Sequence, residues 1–172
     1  IDLRETVLDE ESKVLRGRTP IQAAAEQGDT VLFERLLILG ADINAPPITR
    51  NGGATALQLA SIKGYFGLVG KMLDLHADPN APGADMYGRT ALEGAAEHGR
   101  LDVVQLLLNS GVQTCGDGRR QYVRAIGFAR QEGHHAVVAL LKSHRPWTEA
   151  DQEVLEDNTL LHYDQTSEGI AK

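Results

Sequence analysis

Apolar residues recur along this chain in short blocks separated by polar, glycine-containing stretches, and the blocks come in pairs. The first block of a pair is small and alanine-rich: Ile21-Gln-Ala-Ala-Ala25, Ala56-Leu-Gln-Leu-Ala60 and Ala91-Leu-Glu-Gly-Ala-Ala96. The second is bulkier: Val31-Leu-Phe-Glu-Arg-Leu-Leu37, Leu68-Val-Gly-Lys-Met-Leu73 and Val103-Val-Gln-Leu-Leu-Leu108. Val31, Leu32, Leu36 and Leu37 sit at helical spacing and predict one buried stripe. Thr19, Thr55 and Thr90 stand at the N-cap of the first blocks, where a hydroxyl accepts an orphan backbone N–H. Pro20 suits the first helical position, where its missing donor costs nothing. Gly28, Gly64 and Gly99 can take the left-handed conformation that ends such a helix. Each pair therefore predicts a helical hairpin with more apolar surface than it can bury alone, and stacking the hairpins covers it.

Laid on itself, the chain aligns Gly17–Gly28 with Gly53–Gly64 and Gly88–Gly99. Two units then close with Gly40-Ala-Asp-Ile-Asn44 and His76-Ala-Asp-Pro-Asn80, the third more loosely with Gly111-Val-Gln113. A weaker fourth copy runs from Tyr122 through Gly133 to Leu141. The marker glycines Gly28, Gly64, Gly99 and Gly133 are 36, 35 and 34 residues apart. This period and the Thr-Pro-Ile phrase at Thr19–Ile21 resemble the ankyrin repeat, a unit of about 33 residues built on Thr-Pro-Leu-His-x-Ala. The Ala-Ala-Glu-x-Gly and Ala-Asp-x-Asn-Ala-Pro phrasing is similar to the arrays of fungal multidomain proteins. The resemblance implies an all-α fold, a solenoid of helix-turn-helix units with inner helices on a concave side and finger loops projecting from it.

The departures carry information. Gln22, Gln58, Glu93 and Gly127 replace the family His, Arg124 replaces the family Thr, and Arg130 replaces an inner-helix Ala. The fourth copy reads as a terminal repeat with one polar face. The longest finger, Ala45-Pro-Pro-Ile-Thr-Arg-Asn-Gly-Gly53, is a surface insertion or a stiffened contact loop. The expected organisation is a capping helix over 1–15, four repeats at about 16–48, 49–84, 85–118 and 119–145, and an acidic cap and tail over 146–172. The N-terminal helix rests on capping-box spacing at Asp2–Glu5 and on Leu3, Val7, Leu8, Val14 and Leu15. At the other end Pro146 stops the last repeat helix. Thr148-Glu-Ala-Asp151 caps a short acidic helix to about Glu156, and Trp147 packs onto the last repeat.

Composition narrows the function classes. The formal charge is −7, yet residues 14–144 hold 13 basic and 12 acidic side chains, so the acidity sits at the ends. A phosphate-binding surface would show a basic stripe instead, so nucleic acid is disfavoured as a partner. Cys115 is the single cysteine, which excludes an internal disulfide. No apolar run reaches the length of a membrane span, nor is a signal-peptide pattern present. The expectation is a monomeric cytoplasmic protein, with the nucleus also open. The chain begins at Ile1, which suits a piece of something longer.

Candidate chemistry is thin. His76, His98, His134, His135, His144 and Cys115 show no metal-ligand spacing, and adjacent histidines diverge by about 100° on a helix. Glu93 and Glu97 lie four apart on one inner helix. Glu93 faces the neighbouring repeat by family position and is expected to pair with Arg124 or Arg130. No nucleophile, phosphate-loop or zinc-protease motif occurs. No metal, cofactor or catalytic residue is therefore expected, and the chain reads as a non-enzyme.

What the resemblance implies is a protein-interaction scaffold, binding another protein or another domain of a longer chain. Its partners would meet the fingers and inner-helix edges: Arg18, Gln27, Asn51, Ile62, Lys63, Met86, Tyr87, Arg89, Glu97, His98 and Gln131. Arg16, Ala54, Glu26, Arg120, Gln121 and Glu132 fall at further finger or edge positions. Ile62, Met86 and Tyr87 form an apolar centre with Arg89 and Lys63 beside it, the anatomy of an interface. The alternative is an enzyme or small-molecule binder with a pocket between repeats two and four around Glu97, His98 and Arg130.

Overall fold

The computed structural model describes residues 17–48 and 51–157. The expected N-terminal helix, Arg16 and Thr49-Arg50 lie outside the described residues. Within them the chain runs α1 Pro20–Gln27, α2 Thr30–Ile38, α3 Ala56–Lys63, α4 Phe66–Asp74, α5 Ala91–Glu97 and α6 Leu101–Asn109. After a single 3-10 turn, Gly116–Gly118, come α7 Arg119–Gln131, α8 His135–His144 and α9 Glu149–Glu156. Successive helices pair as antiparallel hairpins; α1, α3, α5 and α7 pack side by side as an inner row. The fold is an all-α solenoid, and the described residues hold no strand.

Local signals set the inner helices. Thr19, Thr55 and Thr90 accept from the backbone N–H of Gln22, Gln58 and Glu93 at 3.3, 3.3 and 3.2 Å, and those side chains return the bond to the threonine N–H. Each box satisfies two donors that a helix start leaves orphaned. Gly28 and Gly64 close α1 and α3 in the left-handed conformation at φ 72° and 80°. Ala24, Ala60, Ala95 and Ala129 occupy one register position and are all buried. A methyl there lets neighbouring helices approach closely while Ile21, Leu57, Leu92 and Ile126 fill the space beyond.

The expected stripe of α2 is shifted in phase. Phe33 and Leu36 are buried and Leu37 partly so, whereas Val31 and Leu32 face outward. Apolar residues surround this helix almost completely, so spacing alone could not choose the face. The fourth unit departs as well. No breaker stands between Arg119 and Arg124, and α7 runs 13 residues, one helical stretch where the other units place a finger. Arg120 and Gln121 are therefore helical rather than finger residues, and Gln121 is buried.

The C-terminal helix follows its local signals. Thr148 caps α9 with a full box through Asp151. Trp147 is half-buried, its ring 6.5 Å from that of Tyr122. Asp151 is buried and accepts from Arg145 at 2.7 and 2.8 Å and from Arg119 at 3.3 Å. Arg145 also donates to Thr114 O at 2.6 Å and lies 4.1 Å over the Tyr122 ring.

Candidate functional site

The concave side is built from the fingers and the exposed edges of α1, α3, α5 and α7. Between units, asparagines from the turns fix the spacing. Asn44 donates to His76 O at 3.2 Å and accepts from Asp78 N at 2.8 Å; Asn80 does the same to Gly111 O and from Gln113 N at 3.1 and 2.8 Å. Gln22 donates to the carbonyls of Ala45 and Pro46 at 3.0 Å, and Gln58 to those of Ala81 and Pro82 at 2.9 Å. A carboxylate cannot donate. Glu93, at the same register, instead lies 3.4 Å from Arg124 Nε on α7. Arg124 is thus the partner and Arg130 is exposed. Burial pushes the Glu93 carboxyl above its ordinary range, while the Arg124, Arg89 and Arg120 guanidinium charges and the Thr90 N–H draw it back.

The structure divides the expected surface residues into two groups. Arg18 forks onto Glu26 at 3.3 and 3.4 Å and reaches Gly52 O. Arg89 forks onto Glu97 at 2.8 and 2.9 Å and lies 4.1 Å over the Phe128 ring, leaving its side chain 12% exposed. His98 Nδ1 lies 3.0 Å from Gly94 O, a contact that needs the ring proton on Nδ1. Ile62 is half-buried against Gly94. Those side chains brace the floor of the surface. Ala54, another finger position, is buried.

Gln27, Asn51, Lys63, Met86, Tyr87 and Gln131 are exposed, and so is His98 despite its bond to Gly94. Met86 and Tyr87 stand 47% and 52% exposed at one finger tip, with Tyr87 at φ 57°. The finger before it is tied on by a bridge between Asn51 and Met86, with Gly52 N donating to Met86 O at 2.7 Å. The sequence reading missed Phe128 as the ring beneath Arg89, because nothing local marks it. It also missed the exposed Ile38, Leu39 and Phe66 of the outer helices, hidden in what reads as core-facing pattern.

Among the clefts of the described residues, two lie along the outer helices, one lined by Leu73, Asp74, His76, Ala77, Asp78, Pro79 and Ser110. The other is lined by Phe66, Gly67, Gly70, Lys71, Leu73, Asp74, Leu106 and Ser110. Neither includes Glu97, His98 or Arg130. Among the described residues no group of three or more His, Cys, Asp or Glu is placed to hold a metal, and no helix is long and apolar enough to cross a membrane.

The family model for ankyrin repeats, in three copies, matches residues 21–116. The chain belongs to the ankyrin repeat family. Among curated relatives, the ankyrin repeat and SAM domain-containing protein 6 of Rattus norvegicus is 35% identical over 103 residues, 60% of this chain and 11% of that protein. The neurogenic locus notch homolog protein 1 of Danio rerio is 34% identical over 110 residues, 63% of this chain and 4% of that one. The probable E3 ubiquitin-protein ligase XBOS33 of Oryza sativa subsp. japonica is 34% identical over 122 residues, 69% and 22% of the two. The chain thus spans a minor part of each relative. Among solved structures, the human ASB11 ankyrin repeat domain superposes with a TM-score of 0.61 at 23% identity, covering 74% of this chain and 55% of that one. That likeness is one of fold. Ankyrin repeats are in general non-enzymatic protein-interaction modules, and the fourth hairpin here lies beyond the three matched copies.

Proposed function

We propose that this ankyrin module binds a partner protein, or a further domain of a longer chain, through the finger tips and inner-helix edges of its concave side. The observation that carries the reading is the Met86–Tyr87 tip. Two large side chains are held toward water on a finger that is clamped to its neighbour and floored by the Arg89–Glu97 fork. An aromatic and a methionine beside Asn51, with the exposed Lys63, Gln27 and Gln131 offered along the inner-helix edges, suit a hot spot with a polar rim. The divisions 16–48, 49–84, 85–118 and 119–145 are the repeat units this surface draws on, with 146–172 as the C-terminal cap. Such a module works as a monomer without metal or cofactor.

The test places a photo-crosslinking residue at Tyr87 and, as a control, at the exposed Ile38, in native-cell lysate. One dominant adduct at Tyr87, lost on Met86→Ala and absent at Ile38, supports the surface. Equal labelling from both positions, or an adduct insensitive to Met86→Ala, overturns it.

A further inference from the structure

The two clefts on the outer helices, about 440 and 490 Å³ in volume, share Leu73, Asp74 and Ser110 in their walls and so form one groove between α4 and α6. Its ends differ in chemistry. One is apolar, walled by Phe66, Leu73 and Leu106, and Phe66 is 49% exposed. The other holds the exposed carboxylates of Asp74 and Asp78. Asp74 has no ion pair among the described residues, and Asp78 accepts from Asn80 N at 2.8 Å. The basic side chains along the groove are His76 and Lys71, and Lys71 is already paired with Glu34. Both helices also end here, at Asp74 and Asn109, and the partial negative charge of a helix C-terminus adds to that of the carboxylates.

The apolar part is kept open by what α4 lacks. Its second and fifth residues are Gly67 and Gly70, where the other outer helices carry Val31 and Glu34, Asp102 and Gln105, or Ala136 and Ala139. The fold calls for neither glycine. A Cβ on Gly67 would meet nothing within 4 Å, one on Gly70 would stand in ordinary contact 3.7 Å from Leu106 Cδ2, and neither residue has a positive φ. Alanine would fit both places and favour the helix. Glycine gains only in letting another backbone come close.

We propose that the α4–α6 groove is a second docking surface, apart from the concave side, whose occupant is an amphipathic basic helix of a partner protein. Its apolar face lies over Gly67 and Gly70 against Phe66 and Leu106, and a Lys or Arg further along meets Asp74 and Asp78. The charge left at that end sets the sign of the partner. A helix suits the groove because two parallel helices flank it and a third packs between them by ridges into grooves. From Phe66 to Asp74 the groove follows α4 for about 12 Å, two helical turns, the reach of anchors spaced three and four residues apart. Strand addition has no template, since the described residues hold no strand.

The experiment pans a displayed library of helical peptides against the full chain, with counter-selection on Gly67→Leu. Leucine at that position fills the groove from open space and should leave the melting temperature no lower. The peptides retained should carry an apolar face followed by Lys or Arg. The strongest of them should bind about tenfold more weakly to Asp74→Arg and equally well to Tyr87→Ala. Crosslinking from Tyr87 should be indifferent to Gly67→Leu, so the two surfaces stand or fall separately. Three results overturn the proposal: no peptide enriched over the counter-selection, enriched peptides without a basic residue, or a concentration-dependent dimer that Gly67→Leu dissolves. The last would make a second copy the occupant.

Discussion

Gly94 of α5 faces Ile62 of α3 so closely that a Cβ on the glycine would stand 2.5 Å from Ile62 Cγ1. The branched side chain of one repeat thus occupies the space that the next leaves empty. Gly94→Ala should lower stability by about 2 kcal/mol through overpacking, despite alanine's better helix propensity. Adding Ile62→Ala should restore part of it. Urea unfolding of the three variants checks this, and a neutral or stabilising Gly94→Ala would contradict the contact.

Glu93 differs from Gln22 and Gln58 by one chemical group, and the pH dependence of stability should register it. Its folded pKa is raised above the ordinary 4.5, chiefly by burial. The stability it contributes is full below about pH 4.5 and is lost as pH rises through the folded value. The melting temperature of the wild type relative to Glu93→Gln should therefore fall from pH 4 to pH 8. Arg124→Ala at neutral pH removes the nearest cation and should cost about 3 kcal/mol, since it strands a buried carboxylate.

Tyr87 and Arg89 are two residues apart and should separate cleanly. Tyr87→Ala should reduce partner capture while lowering the melting temperature less than Arg89→Ala does. Arg89→Ala breaks the fork to Glu97 and uncovers Phe128. It should lower the melting temperature by about 3 °C, with any loss of binding following from the scaffold. Thermal melts run beside the crosslinking assay distinguish the two. A Tyr87→Ala variant as destabilised as Arg89→Ala would place the tyrosine in the scaffold.

Helix α9 hangs on Asp151. Hydrogen bonds from Arg145 hold its carboxyl far below the usual range, against the opposing effect of burial, with Thr148 adding further bonds. Its contribution is therefore present above the ordinary 3.8 and is lost as pH falls below that value. Trp147, which is half-buried near Tyr122, reports on the docking. Its emission should stay constant from pH 8 to pH 5 in the wild type. Asp151→Asn should already show it red-shifted at pH 7 and melt about 3 kcal/mol less stable.

Features encoded within a few residues were legible in the sequence. Thr19, Thr55, Thr90 and Thr148 each open a helix through a bond three residues away, and Pro146 follows the end of α8. Features decided by neighbours were not. Phe33 rather than Val31 turns inward because of what stacks against α2, not because of spacing. Arg89 reads as a free edge residue until Phe128, 39 positions later, comes to lie beneath it. Met86 and Tyr87 were legible as candidates because large apolar residues in a loop lack an obvious core to enter, and both are exposed.

The early start of α7 gives the module a direction. Loops project from the earlier units, but at the fourth a continuous helix braced by α9 stands in their place. A guest lying across the fingers would meet a wall at that end. Its length and polarity would be read against a fixed stop, so lengthening a bound peptide past that stop should add nothing to its affinity.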